Sequence, residues 1–204
     1  MDLFAPTPPL PDGMTLLPAR ALDPAIWAAV QAILLAHPPR KMTTPHGVMS
    51  VGLTACGDCG WVADATGYRY ADRDPVTGER WPPMPEVLAC LARECAAEAG
   101  FPGFAPDTCL INDYAPGSRM GIHRDADEAD FGWPIVSVSL GIPATFLVAG
   151  GRGAPDLRVP LQHGDVVVFG GPARRCRHGV ARVPAARHGE VGARRINLTF
   201  RRAR

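Results

Sequence analysis

Apolar and polar positions recur along this chain with two different periods, and the change of period divides it. Ile26, Val30, Ile33 and Leu34 follow the three- and four-residue steps of one helix face. Asp23-Pro24 supplies an N-cap with proline at the first helical position, and His37-Pro38-Pro39 stops the helix. A second helix is predicted from about Pro85 to Ala99, with Val87, Leu88, Leu91 and Cys95 on one face and Gly100 closing it. From Thr108 onward the period falls to two. Short runs at 108–114, 119–123, 134–140, 144–148, 157–161, 165–169 and 195–201 read as strands between turns. Seven short strands at that spacing fit a sandwich or jelly-roll barrel.

Between the helices, residues 40–84 hold strand-like pieces such as Val48-Met49-Ser50-Val51, separated by glycine, aspartate and proline turns. This region carries Trp61, Tyr68, Tyr70 and Trp81 and reads as a hairpin-and-loop layer, not a second domain. Residues 1–20 are proline-rich and lack periodicity, so a loosely ordered N-terminal segment is expected there.

Composition adds bounds. A chain of 204 residues, 47% hydrophobic and 20% charged, suits one ordinary globular domain. It has no uninterrupted apolar stretch of membrane-spanning length. The N-terminus lacks the basic and apolar regions of a signal peptide, so a cytoplasmic protein is expected. Six cysteines need no disulfide framework. Cys56-Gly57-Asp58-Cys59 has the spacing of half a zinc site, but no second pair accompanies it. Incidental buried thiols are the competing reading.

The net charge is only +1, yet residues 174–204 hold ten arginines and one acidic residue, Glu190. Such a segment fits a local anionic partner or a solvated tail, and both stay open.

Candidate chemistry sits among the later strands. In His123-Arg124-Asp125 the period-2 spacing puts an imidazole and a carboxylate on one face of an extended segment. Those are two corners of a 2-His-1-carboxylate metal triad. The third corner must come from the other histidines. His37 lies at a helix stop, His46 in an early loop, His163 in a turn and His188 in a polar loop. His178 is separated from Asp125 by the two strongest strands, as a jelly-roll metal site requires, which makes it the best of several candidates.

In the last strand Arg195, Asn197, Thr199 and Arg201 alternate with Ile196, Leu198 and Phe200. An inward polar face with two guanidinium groups calls for anions, and a small dicarboxylate would serve both. An exposed edge strand with solvated arginines is the alternative. Asn112 and Tyr114 share a face just before the His123 segment and could donate to the same dicarboxylate.

Taken together, Asn112-Asp113-Tyr114-Ala115-Pro116-Gly117, His123-Arg124-Asp125-Ala126-Asp127-Glu128, Pro134 to Gly141, His163 to Val168 and Arg195 to Arg201 occur in order. This set resembles AlkB-type Fe(II)/2-oxoglutarate dioxygenases of the bacterial DNA-repair branch. The resemblance runs from Leu3-Phe4 nearly to the C-terminus and includes Gly60-Trp61 and Trp81-Pro82-Pro83-Met84-Pro85. It implies a mainly β fold with flanking α: a double-stranded β-helix core over about residues 108–201, N-terminal helices, and a nucleotide-recognition lid over about 43–81, all in one domain, 1–204.

By the same resemblance, His123, Asp125 and His178 hold Fe(II). Arg195, Asn197 and Tyr114 take the distal carboxylate of 2-oxoglutarate, and Arg201 and Asn112 support the carboxylate near the metal. Trp61 and His123 sandwich a damaged base, with Asp127 near its exocyclic amine and Tyr68 a further substrate contact. The implied activity is O2-dependent demethylation of 1-methyladenine and 3-methylcytosine in single-stranded DNA, with arginines of residues 174–187 tracking phosphates. No long apolar surface segment demands a partner, so a monomer is expected. RNA or protein as substrate, and a non-catalytic nucleic-acid binding module, are the competing readings. Three positions depart from the bacterial pattern: Val48 for a lid tyrosine, Asp113 for a basic residue and Phe169 for a tryptophan.

Overall fold

Asp23 caps the first helix as its sequence position requires: its carboxylate accepts the Ala25 N–H at 2.9 Å, and α1 runs Pro24–Ala36. The computed structural model describes residues 9–44, 47–64, 67–151 and 154–204. Leu3, Phe4 and His46 lie outside the described residues. The second helix, α2, spans Glu86–Glu98.

Among the described residues thirteen strands follow chain order: β1 Met14–Leu17, β2 Arg40–Thr44, β3 Gly47–Gly57, β4 Gly60–Asp64, β5 Gly67–Ala71, β6 Thr108–Tyr114, β7 Met120–His123, β8 Ile135–Gly141, β9 Ala144–Val148, β10 Leu157–Leu161, β11 Val166–Phe169, β12 His178–Val180 and β13 Arg195–Arg201. They form a seven-stranded sheet, β1-β11-β8-β13-β6-β3-β2, a four-stranded sheet, β10-β9-β12-β7, and the β4–β5 hairpin. The two larger sheets build the expected double-stranded β-helix.

All seven strands read from the period-2 pattern are present. β1 is an addition and corrects, for Met14–Leu17, the expectation of a loosely ordered segment; the earliest part of that segment lies outside the described residues. Only four residues long, β1 is too short to show a period, and it exists because it pairs with β11, with Met14 opposite Phe169.

β13 occupies the middle of the large sheet, bonded to β6 on one side and β8 on the other, so the edge-strand alternative is excluded. Its two faces have different neighbours. Ile196, Leu198 and Phe200 join Val136, Val138 and Val168 in a core that also takes Ile26, Val30, Leu88 and Leu91 from the helices. The helices therefore cover the outer face of the large sheet and leave its polar inner face free to line a cavity.

Two glycines permit close approaches that place functional side chains. A Cβ at Gly60 would meet the Trp81 ring at 2.4 Å, so only glycine lets Trp81 pack beneath the β4 turn that presents Trp61. A Cβ at Gly179 would meet the Met120 carbonyl oxygen at 2.7 Å, so glycine lets β12 lie close against β7.

Candidate active site

His178 stands directly opposite His123 in the β12–β7 register, which is why two histidines far apart in sequence share one face. Their ring centroids are 4.6 Å apart. Asp125, two residues beyond β7, places Oδ1 3.6 Å from His123 Nε2 and Oδ2 3.6 Å from His178 Nε2. Among the described residues, these three form the one group of potential metal ligands, with donor atoms within 4.8 Å of one another.

The histidines are prepared as ligands. His123 Nδ1 donates to the Gly121 carbonyl at 2.8 Å, and His178 Nδ1 donates to the Cys176 carbonyl at 3.1 Å. Those bonds fix the tautomer and leave each Nε2 lone pair facing the other donors. Burial pulls His178 below the ordinary imidazole range, which favours the neutral, ligating form. Phe146 and Phe169 flank His178 at centroid distances of 5.5 and 5.0 Å and supply the expected aromatic wall. Burial alone would raise Asp125, but the Arg201 guanidinium and both imidazoles outweigh it and hold the carboxyl well below its usual range. Burial lowers His123, but its hydrogen bond to Asp125 and that group's charge outweigh burial and raise the imidazole. Two imidazole nitrogens and one ionised oxygen at these separations suit a divalent transition metal with open positions.

The inner face of β13 contributes the second half of the site. Arg195 lies opposite Tyr114, and Asn197 opposite both Asn112 and Ser139. Asn197 Nδ2 donates to Ser137 Oγ and the Val138 carbonyl, each at 2.9 Å. Arg195 is 1% exposed, lies over the Tyr114 ring and donates through Nη2 to Ser139 Oγ at 2.9 Å. Its Nε and Nη1 have no partner within the protein. A buried guanidinium with two unpaired donors is costly unless an anion completes it, and a carboxylate matches that fork. This orphaned pair of donors is the observation that fits 2-oxoglutarate to the cavity.

Arg201 differs. It donates through Nη2 to Asp125 Oδ2 at 2.8 Å, and its Nε lies 3.1 Å from Glu128 Oε1, off the hydrogen-bond line. The protein's own carboxylates thus hold Arg201, whereas Arg195 keeps two buried donors for a ligand.

Trp61, Tyr68, Asp127, His123, Met49 and Met120 line the outer part of the same cavity, whose volume is about 500 Å³. That is ample for a co-substrate plus a nucleobase. Trp61 stacks on Tyr68 at 5.4 Å, nearly parallel, and its indole N–H donates to Asp127 Oδ2 at 2.7 Å. The structure brings every predicted site residue to this one cavity.

One expectation needs correction and one loses support. Arg174 is 2% exposed and bonded inward to Glu128, so it cannot track phosphates with Arg175, Arg177, Arg182 and Arg187, which are exposed. Val48 is exposed, where the missing lid tyrosine would leave no polar contact. Cys56 and Cys59 are buried free thiols, and burial pushes Cys59 up to about 11, the reverse of a zinc thiolate. Sequence reasoning missed Glu128 and the inward role of Arg174. Glu128 stood inside a quoted motif, but nothing local marks it as buried.

Comparisons with known proteins agree with this geometry. The 2OG-Fe(II) oxygenase superfamily matches residues 13–201. The alpha-ketoglutarate-dependent dioxygenase AlkB of Salmonella typhimurium is 49% identical over 168 residues, 81% of this chain and 78% of that protein. The Escherichia coli protein of the same name is 43% identical over all of this chain and 98% of its own length. A homologue from Caulobacter vibrioides is 45% identical over 91% of this chain and 82% of that protein. Among solved structures, that of OsALKBH1 superposes with a TM-score of 0.78 at 28% identity, covering 95% of this chain and 98% of that one.

Proposed function

From the premise that the chain belongs to the 2OG-Fe(II) oxygenase superfamily, in its AlkB-type branch, we infer that it is an oxidative demethylase of alkylated nucleic acid. It is an Fe(II)/2-oxoglutarate-dependent dioxygenase. The observation that carries the reading is the coincidence, in one cavity, of the His123–Asp125–His178 cluster with the unpaired donors of buried Arg195.

His123, Asp125 and His178 would hold the iron, and Arg195, with Tyr114 and Asn197, the far carboxylate of 2-oxoglutarate. Asn112 and Arg201 lie toward the near one. When bound, iron, 2-oxoglutarate and O2 supply an oxidant that hydroxylates an N-alkyl carbon, giving succinate and CO2, and a hydroxylated methyl group leaves as formaldehyde.

The residues of this chain do the positioning. Arg201 keeps Asp125 ionised and oriented. The Nδ1–H bonds of both histidines keep their Nε2 atoms available. Met49, Met120 and the aromatic wall shed water from the reacting region. Trp61 and His123 sandwich the base, and Asp127 accepts a hydrogen bond from its exocyclic amine. An N-alkylated base is cationic when the alkyl group occupies a pairing nitrogen, so Trp61 adds a cation–π term and Asp127 an opposite charge.

The favoured substrates are 1-methyladenine and 3-methylcytosine in DNA, on single strands, where no pair has to be opened to reach the base. Residues 43–81, which include β3 and the β4–β5 hairpin, serve as the recognition lid over the 108–201 core. The protein acts as a cytoplasmic monomer. Among the described residues no helix is long and apolar enough to cross a membrane. Competition among single-stranded DNA, duplex DNA and RNA oligonucleotides carrying the same lesion tests the preference. Preferential loss of the single-stranded DNA lesion is expected, and faster RNA repair would overturn it.

A further inference from the structure

Glu128 is the charged centre that the proposed chemistry leaves unused. Its side chain is 2% exposed and reaches three different parts of the fold. Oε2 accepts from Arg174 Nη2 at 2.9 Å. Oε1 accepts the Tyr70 phenol at 2.7 Å and lies 3.1 Å from Arg201 Nε. Both arginines also hold Asp125. Arg201 donates to its carboxylate at 2.8 Å, and Arg174 Nη1 donates to its backbone carbonyl at 3.1 Å. Arg174 Nε takes the Trp133 carbonyl as well, at 3.2 Å, so the loop between β7 and β8 is pinned along much of its length.

Tyr70 brings in the hairpin. It lies directly opposite Trp61 in the β4–β5 register, and directly opposed residues present their side chains to the same face. The hairpin therefore meets the β7–β8 loop twice: Trp61 on Asp127 at the exposed end, and Tyr70 on Glu128 in the interior. Buried ion clusters contribute little net stability compared with apolar packing, and their best use is fixing one geometry.

We propose that Glu128 is a positioning residue that joins the Trp61 hairpin to the metal carboxylate, its contact with Tyr70 setting how firmly Arg174 and Arg201 orient Asp125. This rests on the reading of Asp125 as a metal ligand and extends it. Groups that orient a ligand from behind change metal affinity by about 10–100-fold when removed. A hairpin residue that touches no ligand then affects metal binding, and residues acting through one group do so non-additively.

The test measures Mn(II) binding to the full chain by electron paramagnetic resonance, with 2-oxoglutarate present, in wild type, Tyr70→Phe, Glu128→Gln and the double variant. Thermal unfolding confirms that each is folded. Tyr70→Phe removes one hydroxyl and is the variant least able to perturb the core. It is expected to weaken Mn(II) by about 3–10-fold, Glu128→Gln by about 10–100-fold, and the double variant no further than Glu128→Gln alone. Wild-type affinity in Tyr70→Phe overturns the inference while leaving the metal site standing, and so do losses that multiply in the double variant. A wild-type chain that takes no Mn(II) overturns the metal reading and the inference with it.

Discussion

The indole N–H of Trp61 donates to the carboxylate of Asp127 at 2.7 Å, tying the proposed base platform to the group proposed to read the base. One carboxylate oxygen is held by the indole and the other is left to accept an exocyclic amine. Both members of the pair line the cavity, so their geometry is set before substrate arrives. Base–aromatic stacking is worth about 1–3 kcal/mol. Trp61→Ala is expected to raise the KM for a methylated oligonucleotide roughly 10–100-fold and leave that for 2-oxoglutarate unchanged. Trp61→Phe keeps a ring but loses the bond to Asp127, and its effect should fall between. Steady-state kinetics with each substrate varied in turn check this.

Arg195 has two buried donors that nothing in the protein satisfies. A hydrogen bond to a charged group contributes about 1.5–3 kcal/mol. Arg195→Lys keeps the charge but loses the planar fork, and the 2-oxoglutarate KM is expected to rise about 10–100-fold. Mn(II) binding without co-substrate should hold at the wild-type value, because Arg195 contacts no metal ligand. A parallel loss of both would mean that Arg195 acts through the fold.

Arg174 and Arg177 separate structural from phosphate-binding arginines. Arg174 is buried on Glu128, whereas Arg177 is exposed beside His178. Removing one partner of a buried pair costs about 3–5 kcal/mol, so Arg174→Ala should lower the urea midpoint markedly. Arg177→Ala should leave stability unchanged and reduce the salt slope of single-strand binding by about 0.7. Titrations at several salt concentrations measure the slope.

His163 gives a pH prediction away from the site. Its Nδ1 accepts the Gly141 N–H at 3.0 Å, and its ring stacks on His188 at 4.2 Å. Burial and the neighbouring His188 pull it below the ordinary imidazole value, against Glu190 and Asp165, which raise it. The folded state therefore binds this proton more weakly than the unfolded chain. Its contribution is fully present above about pH 6.5 and is lost as the pH falls below that. Protonation at Nδ1 also removes the acceptor for Gly141. The fall in urea stability from pH 7.5 to 5.0, on the order of the window in which histidine titrates, should be smaller in His163→Gln than in wild type.

The readable parts of this chain were those whose cause is local. α1 announces itself through Asp23-Pro24, and β13 through strict alternation, because capping and pleat act within a few residues. β1 was not readable, since four residues become a strand only through β11. From the residues alone His178 was the best of several histidines, and the register then set it opposite His123. Arg174 was counted with the basic tail because its partner, Glu128, comes from a separate loop. The residues proposed to hold metal and co-substrate could be named because the ordered motifs that carry them resemble a known family. The contacts behind them could not, since those depend on which side chains the two sheets enclose.

The central claim is that this cavity demethylates an alkylated base. It is tested most directly by mass spectrometry of a single-stranded oligonucleotide carrying one 1-methyladenine, incubated with the protein, Fe(II), 2-oxoglutarate, ascorbate and air. Loss of one methylene mass with wild type, matched by succinate, is expected, and no change with His178→Ala. An unchanged oligonucleotide with the iron-loaded wild type, or full repair by His178→Ala, would contradict it.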